Sequence, residues 1–323
     1  MTCHICNGPL RPYINDIFDD RYGYPRLFNI CRCESCESFI TQPPLKSSEI
    51  GSLYTDYYPR KNITAESVKK RAAGWISGRA DSRACAHWAT GEHRIHRRFP
   101  RASRPGMKVL DIGCGDGSSL LELRSLGYDA CGIEADTNVG KIATELDLNI
   151  FIGMIEDAPF TPASFDCIIA NQVIEHVVGL KSFMESIRKY VTPGGTVIFS
   201  TPNAGSMFRA IYGRKWIHWH IPYHQQILSK KGFLELANKY GYAISSMRTV
   251  SPSGWTMHEI NRLRFEAQLG VKNPFWTQSE IMPSSLPGKA IRKGLFIFMS
   301  GLGKIADAFG YGNSFIVHMK IKR

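Results

Sequence analysis

The 323-residue sequence lacks any apolar run long enough to cross a bilayer. Its longest candidate, Leu295–Met299, has five residues, whereas a membrane span needs roughly 18. The first residues also lack the basic and apolar regions of a secretory signal peptide. We therefore expect a cytoplasmic protein, in which thiols stay reduced, so the nine cysteines need an explanation other than disulfide bonds.

Acidic side chains are scarce, since 28 Asp and Glu residues face 40 Lys and Arg residues and leave a net charge of +12. The excess is uneven. Residues 60–104 hold 12 basic and 3 acidic side chains, and residues 254–323 hold 10 and 4. Such patches indicate an acidic partner, namely phosphate groups, an anionic membrane surface or nucleic acid, and a solvated basic face is the alternative.

Five cysteines lie within the first 36 residues, and four of them form two CxxC pairs. Two such turns bring four thiolates to one ion, and this donor set suits structural Zn²⁺ with no open coordination position. A redox pair or ordinary buried thiols are the alternatives. We predict a zinc-binding ribbon over residues 1–45, with Cys31 or His4 as possible substitute ligands and these residues as the metal site: Cys3, Cys6, Cys33 and Cys36.

Residues 46–104 form a basic connector that we expect to be partly helical. Its predicted helix covers Ala84–Arg98, and Trp75, Trp88 and Phe99 are interspersed with the basic residues. Basic residues interleaved with aromatic ones can bind single-stranded nucleic acid. An amphipathic helix that covers a domain and leaves its charges in water is the commoner arrangement.

From Lys108 onward, short apolar strands alternate with helical segments. This alternation predicts an α/β fold with a doubly wound parallel sheet, whose ligands bind beyond the carboxyl ends of the strands. A final alternating segment, Ser314–Lys322, predicts the last strand. The predicted elements are strands at Lys108–Gly113, Ala130–Ala135, Asn149–Met154, Phe165–Asn171, Thr196–Ser200 and Tyr242–Val250, and helices at Ser118–Leu126, Thr137–Leu146, Leu180–Tyr190 and Lys230–Tyr240.

The first of these strands ends in a glycine-rich loop, Asp111-Ile-Gly113-Cys-Gly115-Asp-Gly117. Glycine allows a tight turn and a close approach of the backbone to a ligand. The third glycine of a dinucleotide motif would fall at Ser118, so that motif is absent. Glu134, 21 residues beyond Gly113, ends the next strand, where a carboxylate accepts hydrogen bonds from both ribose hydroxyls. Together these features indicate an adenosine ligand.

The glycine loop resembles the first motif of class I S-adenosylmethionine-dependent methyltransferases. The later motifs match in order, and the resemblance covers about residues 105–250: Glu156-Asp-Ala-Pro-Phe160 followed by Phe165-Asp166, Asn171-Gln-Val-Ile-Glu-His176, and Val191-Thr-Pro-Gly-Gly195. The N-terminal cysteine pairs, with the Pro-Pro and Leu-Tyr-x-x-Tyr-Tyr segments after them, are similar to a zinc-ribbon subgroup in sugar, glycan and secondary-metabolite pathways. The resemblance implies a Rossmann-like seven-stranded methyltransferase sheet over residues 105–323, with insertions at about 204–228 and 254–313.

By position, the resemblance implies that the glycine loop holds the methionine part of S-adenosylmethionine and that Glu134 binds its ribose. It places the segment around Ile155 beside the adenine and Asn171 near the methionine end. Relatives often have Asp where this chain has Met154, which leaves an adenine contact there to backbone atoms. The implied cofactor residues are Asp111, Gly113, Gly115, Glu134, Ala135, Ile155, Glu156 and Asn171.

The acceptor site is expected in the segment after the fifth strand, where three histidines lie in seven residues between two tryptophans and a tyrosine. We predict His224 as general base, followed by His220 and His176, because histidine titrates near neutral pH. Structural histidines are the alternative, and a second metal at His218, His220 and His224 is a further one. Gln225 and Gln226 stand where sugar C-methyltransferases have an acid and a base, which favours O-methylation.

The segment 254–313 combines basic residues with the apolar run Leu295–Met299. Such a composition fits contact with the inner face of a membrane, and a helical lid or dimer contact is the alternative.

We predict an enzyme that O-methylates a hydroxyl of a sugar, glycan or related small metabolite, with a phosphate-bearing acceptor favoured by the basic patches. The alternatives are an RNA methyltransferase, a sugar C-methyltransferase and a non-catalytic cofactor-binding scaffold.

Overall fold

The computed structural model describes residues 1–58, 63–80, 102, 104–262, 265–277 and 286–322. Its strands and helices follow in the order β1 Leu10–Ile17, β2 Phe28–Cys33, β3 Phe39–Gln42, α1 Ser47–Ser52, α2 Ala65–Ala80, β4 Lys108–Ile112, α3 Ser118–Ser125, β5 Asp129–Glu134, α4 Val139–Glu145, β6 Asn149–Ile152, β7 Phe165–Asn171, α5 Leu180–Tyr190, β8 Val191–Pro202, α6 Met207–Tyr212, β9 Gln226–Ile227, α7 Lys230–Lys239, β10 Tyr242–Val250, α8 Ser253–Arg262, α9 Pro274–Thr277, α10 Leu286–Ala308 and β11 Ser314–Ile321.

The main sheet has seven strands in the order β10-β11-β8-β7-β4-β5-β6. Strands β4 to β8 are mutually parallel, whereas β11 runs antiparallel between β8 and β10. This arrangement confirms the predicted doubly wound, Rossmann-like methyltransferase sheet. The chain order reverses at β4, so ligands are expected beyond the carboxyl ends of β4 and its neighbours.

Both faces of the main sheet are covered, and the central strands are therefore apolar along nearly their whole length. In β7, five of the seven residues are buried. Helix α5 shows how the sequence directs this packing, because its apolar residues recur at helical spacing and face the sheet. Its buried residues are Leu180, Phe183, Met184, Ile187 and Tyr190.

A second sheet of four strands, in the order β1-β2-β3-β9, contains the predicted ribbon. Its fourth strand comes from the 204–228 segment, since Phe39 pairs with Ile227 and Ile40 with Gln226. The ribbon is therefore continuous with the methyltransferase part through backbone hydrogen bonds. The domain boundaries themselves stay a prediction.

Several predicted bounds differ from those observed. The fifth strand of the alternating core is β8, which begins at Val191 rather than Thr196 because Phe165 already pairs with Val191. Strands β5 and β6 end one and two residues earlier than predicted. Connector helix α2 packs against α3, as Ser118 Oγ donates to the Val68 carbonyl. The predicted helix Ala84–Arg98, together with most of the connector's basic residues, lies outside the described residues.

The 254–313 segment contributes α8, α9 and α10. Asp307, near the end of α10, accepts hydrogen bonds from the backbone and hydroxyl of Ser251. Asn313, just before β11, accepts from the indole of Trp216. These contacts tie the segment to the acceptor side of the sheet. In the part of the chain that is described, no helix is both long and apolar enough to span a membrane.

Candidate functional site

The four predicted zinc ligands meet in one place, which we call the thiolate cluster: Cys3, Cys6, Cys33 and Cys36. Their sulfur atoms all lie within 4.8 Å of one another. The Cys3–Cys36 and Cys6–Cys33 sulfur separations are 3.8 and 3.4 Å. Sulfurs about 2.3 Å from a tetrahedral Zn²⁺ lie roughly 3.8 Å apart, so the donor set and the spacing fit the ion.

The two CxxC turns have the same backbone geometry. Cys3 N donates to the Gly8 carbonyl and Cys33 N to the Ser38 carbonyl. The residue after each second cysteine, Asn7 or Glu37, is left-handed, with φ of 61° and 62°. Backbone N–H groups of Gly8 and Cys36 also donate to the sulfurs of Cys6 and Cys33. Such N–H···S contacts favour thiolates, the form that binds metal.

The alternative ligands have other roles in the structure. His4 Nε2 lies 3.1 Å from the side-chain oxygen of Gln226, and burial lowers the pKa of this imidazole. Cys31 is buried in the hydrophobic core rather than in the thiolate cluster. Inside the thiolate cluster, the hydrogen bond that Cys3 donates to Cys36 lowers the pKa of Cys36 to about 5.

The glycine loop follows β4 at the carboxyl edge of the main sheet. Gly113 and Gly115 have φ of +68° and +57°, a conformation that strongly favours glycine. A Cβ at Gly113 would lie 2.6 Å from Val173, and one at Gly115 would project into open space. The loop is thus an open backbone cradle that a side chain would fill, which fits the methionine part of the cofactor.

Glu134 ends β5 beside this cradle. Its carboxylate accepts hydrogen bonds from Gly115 N at 2.8 Å and Asp136 N at 3.0 Å. These contacts orient both oxygens, and each oxygen keeps a lone pair for a ribose hydroxyl. Burial raises the pKa of Glu134, and the backbone N–H groups of Asp136, Gly115 and Ala135 oppose that shift.

Asp111 lies under the loop and is 2% exposed. Its Oδ2 accepts a hydrogen bond from Ser119 Oγ at 2.5 Å. Burial raises the pKa of Asp111 to about 7. A buried carboxylate at this edge of the sheet favours a cationic ligand, and S-adenosylmethionine carries a sulfonium and an ammonium group.

The remaining implied cofactor residues surround the same edge. Ile155 is buried, and Ser182 Oγ donates to Glu156 Oε1 at 3.2 Å. Met154 is 48% exposed, and so it offers the adenine no polar side-chain contact. Asn171 ends β7, where its Oδ1 accepts from Ser200 Oγ.

The three predicted catalytic histidines converge, and we call them the imidazole cluster: His176, His220 and His224. The ring centroids of His176 and His224 are 4.6 Å apart, and those of His220 and His224 are 5.0 Å apart. Burial lowers the pKa of His176 to about 4 and the pKa values of the other two well below 6.5. All three rings are therefore neutral at pH 7.

Tyrosines from the N-terminal segment surround the imidazole cluster. Tyr54 OH lies 3.1 Å from His176 Nδ1. Tyr223 stacks on His220 with ring centroids 4.7 Å apart, and Tyr22 and Tyr58 contact the same rings. In the described structure, His220 Nε2 and Tyr223 OH are buried without a hydrogen-bond partner. Two such orphaned polar atoms side by side indicate a place for a polar ligand group.

The tryptophans of the same segment have a structural position. Trp216 and Trp219 are buried, and their indole N–H groups donate to Asn313 and to the Gly213 carbonyl.

The side-chain amides of Gln225 and Gln226 form hydrogen bonds with backbone groups. Gln225 donates to Pro222 and accepts from Leu45 N, while Gln226 donates to the carbonyls of Ile174 and Val177.

Sequence reasoning missed Glu175 and Tyr54 as parts of the site. Glu175 is 0% exposed, and its Oε2 accepts from Thr201 Oγ1 at 2.9 Å. Burial raises the pKa of Glu175 to about 8. Its position next to His176 at a strand end was the available signal. For Tyr54 the signal was the aromatic Leu-Tyr-x-x-Tyr-Tyr segment, which could equally pack the ribbon or line a substrate site, and the short π-helical turn Leu53–Tyr57 brings it to His176.

A family model described as a methyltransferase domain matches residues 81–246, about half of the chain. The ubiquinone biosynthesis O-methyltransferase of Paraburkholderia phymatum is 32% identical over 126 residues, which cover 36% of this chain and 54% of that protein. The malonyl-[acyl-carrier protein] O-methyltransferase of Erwinia pyrifoliae is 30% identical over 151 residues, covering 46% and 57%. The chain spans about half the length of the curated relatives it matches.

Among solved structures, phosphoethanolamine N-methyltransferase 2 of Haemonchus contortus in complex with S-adenosylmethionine covers 88% of this chain and 63% of its own, with 19% identity and a TM-score of 0.48. The family match agrees with the strand order, the glycine cradle and Glu134. It confirms the methyltransferase interpretation of the motifs, and the chain belongs to the methyltransferase domain family.

Proposed function

We propose that the protein is an S-adenosylmethionine-dependent O-methyltransferase whose acceptor is a hydroxyl of a ring-bearing small molecule. The observation that carries the proposal is the proximity of two sites at one sheet edge. The loop with Glu175 and His176 touches the glycine cradle, because Val173 packs against Gly113. A methyl group held in that cradle would lie next to the imidazole cluster, as in-line transfer from a sulfonium requires.

The acceptor class follows from what surrounds the imidazole cluster. Tyrosine rings at Tyr22, Tyr54, Tyr58 and Tyr223 favour a flat or ring-shaped molecule through stacking. The unpartnered His220 Nε2 and Tyr223 OH favour a hydroxyl-bearing one. Both a sugar and a phenol meet these requirements. The two curated relatives, an enzyme of ubiquinone biosynthesis and one that acts on a malonyl group, are O-methyltransferases.

Methylation of oxygen is supported over methylation of carbon. Gln225 and Gln226 occupy the positions at which sugar C-methyltransferases are expected to have an acid and a base. Their amides bind backbone groups and are not directed at a reactant. The imidazole cluster would then supply the proton acceptor for a hydroxyl. We retain the order His224, His220 and His176 for the general base.

The geometry at His224 is consistent with this role. Its Nδ1 lies 2.7 Å from the His218 carbonyl oxygen, and in the neutral ring this nitrogen donates the hydrogen bond. The Nε2 lone pair is then available to accept a proton. The reaction forms a bond between the acceptor oxygen and the methyl carbon and breaks the bond between that carbon and sulfur. The sulfonium becomes a neutral thioether, and the hydroxyl proton leaves through the base.

For the ribbon, we infer that the four thiolates hold one structural Zn²⁺. Four sulfur ligands leave no open position, so the ion would take no part in methyl transfer. Its contribution is to hold both CxxC turns and, through the pairing of β3 with β9, the segment that carries His224.

We further infer contact between α10 and an anionic membrane surface. Phe296, Phe298 and Ile305 of this helix are 41%, 65% and 58% exposed, and residues 254–323 carry a net charge of +6. Flotation with vesicles that contain anionic lipid tests this contact. Binding by the wild type and its loss in Phe296→Ser/Phe298→Ser support the inference, and no binding by the wild type overturns it.

The proposed activity is tested by calorimetry with S-adenosylmethionine and by transfer of a labelled methyl group. The acceptors are a panel of catechols and other phenols, nucleotide-linked sugars and a structured RNA. We expect micromolar cofactor binding and transfer to one of the ring-bearing hydroxyl classes. Transfer to RNA alone would favour the alternative enzyme class. Cofactor binding without transfer to any acceptor would favour a non-catalytic scaffold.

A further inference from the structure

A second group of possible metal ligands lies away from the thiolate cluster, and it consists of Glu175, His176 and His224. Each offers one ligand atom, and the three atoms lie within 4.8 Å of one another. Atoms about 2.1 Å from a shared cation lie roughly 3 to 4 Å apart, so side-chain adjustments of under about 1 Å would complete the coordination. Glu175 and His176 belong to the loop whose Val173 packs against Gly113 of the glycine cradle.

The two imidazoles are oriented as metal-binding histidines usually are. His224 Nδ1 faces the His218 carbonyl, which leaves Nε2 as the free lone pair. Tyr54 OH lies 3.1 Å from Nδ1 of His176, which leaves Nε2 of that ring to coordinate. Partners of this kind fix the tautomer and the direction of the coordinating nitrogen.

Glu175 is a buried acidic group without a positively charged partner in the described structure. It is fully buried, and among the described residues no Lys, Arg or His forms an ion pair with it. Its two oxygens are held by hydroxyl and amide groups, namely Thr201 Oγ1 and, with the amide of Gln172 turned to satisfy its own contacts, Gln172 Nε2 at 3.0 Å. A divalent cation would stabilise the ionised form of this carboxyl group, which burial otherwise disfavours.

We propose that Glu175, His176 and His224 form a second metal site, which binds a divalent cation next to the cofactor. Two imidazoles and one carboxylate suit Mn²⁺, Fe²⁺, Co²⁺ or Zn²⁺ and leave positions open for an acceptor oxygen. This inference rests on the proposed function for its role. The cation would lower the pKa of the acceptor hydroxyl, whose proton passes to water before the oxygen attacks the methyl carbon. In this arrangement His176 and His224 bind the cation and no longer act as the base of the proposed function, and His220 remains outside the coordination sphere.

The test uses full-length protein whose ribbon has been loaded with one zinc per chain. Mn²⁺ is titrated and free Mn²⁺ is followed by electron paramagnetic resonance, with Co²⁺ and its visible spectrum in parallel. We expect one additional cation per wild-type chain. His224→Gln and Glu175→Gln should weaken its binding at least about 100-fold. His220→Gln is the matched control in the same segment and should bind like the wild type.

Zinc content and thermal unfolding of each variant show whether it remains folded. If a glutamine variant unfolds, His176→Asn and an anomalous-scattering map of Mn²⁺-soaked wild-type crystals provide the same test. The proposal is overturned if folded wild-type protein binds neither Mn²⁺ nor Co²⁺ at millimolar concentration. It is also overturned if the three ligand variants bind as tightly as His220→Gln.

Cation binding and methyl transfer are measured on the same samples, so the two proposals fail in different ways. A bound cation with no methyl transfer to any acceptor would remove the proposed function and leave the site. Full methyl transfer by protein that holds only the ribbon zinc would remove the site and leave the function.

Discussion

The thiolate cluster and the imidazole cluster are built in opposite ways. The four sulfurs come from two short turns that share one backbone hydrogen bond and one left-handed residue, and each turn is complete within six residues of sequence. His176 and His224 come from different segments, which the main sheet and β9 bring together. The first cluster is therefore specified locally, whereas the second exists only when the whole fold is present.

The two clusters also differ in whether their polar groups are already satisfied. Four thiolates form a closed set that suits a structural ion. The imidazole cluster has neutral rings, a buried carboxyl group at Glu175 and unpartnered polar atoms at His220 and Tyr223. Unsatisfied groups of this kind are costly to fold and persist where a ligand completes them. We therefore expect the first cluster to contribute stability and the second to contribute reactivity.

The largest effect is expected from Cys36→Ala, which removes a thiolate from the closed cluster. The variant should lose its zinc, and its free energy of unfolding should fall by about 4 kcal/mol or more, because loss of a structural metal site belongs to the most destabilising class of mutations. Zinc content and denaturant unfolding measure both quantities. Cys31→Ala is the control, since this buried cysteine lies outside the cluster, and it should keep one zinc. Equal zinc content in the two variants would contradict the ligand assignment.

A smaller effect is expected at the cofactor cradle from Glu134→Ala. The change removes the carboxylate that we expect to accept two hydrogen bonds from the ribose, so calorimetry should show S-adenosylmethionine affinity reduced by about 3 kcal/mol, or roughly 100-fold. The exposed Glu145→Gln on α4 is the control and should leave affinity unchanged. An unchanged affinity in Glu134→Ala would show that the carboxylate does not bind the cofactor.

The contrast between the two clusters also explains how much the sequence could predict. The alternating strands and helices of the parallel sheet and the convergence of Cys3, Cys6, Cys33 and Cys36 followed from apolar alternation and from CxxC spacing, both of which are local signals. Tyr54 and the burial of Trp216 could not be predicted in the same way. Each depends on contacts between the N-terminal segment and residues about 100 to 200 positions away. The pairing of β9, which contains Gln226, with β3 of the ribbon sheet also depends on such a long-range contact.

A pH effect of about tenfold is expected at Asp111. Burial raises its pKa to about 7 from 3.8, so the folded protein binds an extra proton between those values. Its contribution to stability is therefore present at low pH and declines as pH rises through this window. The cationic cofactor favours the carboxylate, so affinity should increase from pH 6 to pH 8. Calorimetry at both values measures this, and Asp111→Asn, which has no such proton, should flatten the profile apart from titration of the cofactor's own amino group.

The smallest effect is expected at Ser229, which connects the two clusters. Ser229 is the N-cap of α7, and its Oγ accepts a hydrogen bond from Gly232 N at 2.9 Å. The same Oγ donates to the Cys36 carbonyl, and the backbone N of Ser229 donates to Ser38 Oγ at 3.1 Å. Ser229→Ala should lower the free energy of unfolding by about 1 kcal/mol, the usual value of such a cap. Because β9 lies two residues before it, the variant should also raise the KM for the acceptor while zinc content and cofactor affinity stay unchanged. Ser245→Ala, on the exposed part of β10, is the control. If Ser229→Ala changes stability alone, the two clusters are energetically independent, and the ribbon contributes to the fold without positioning the imidazole cluster.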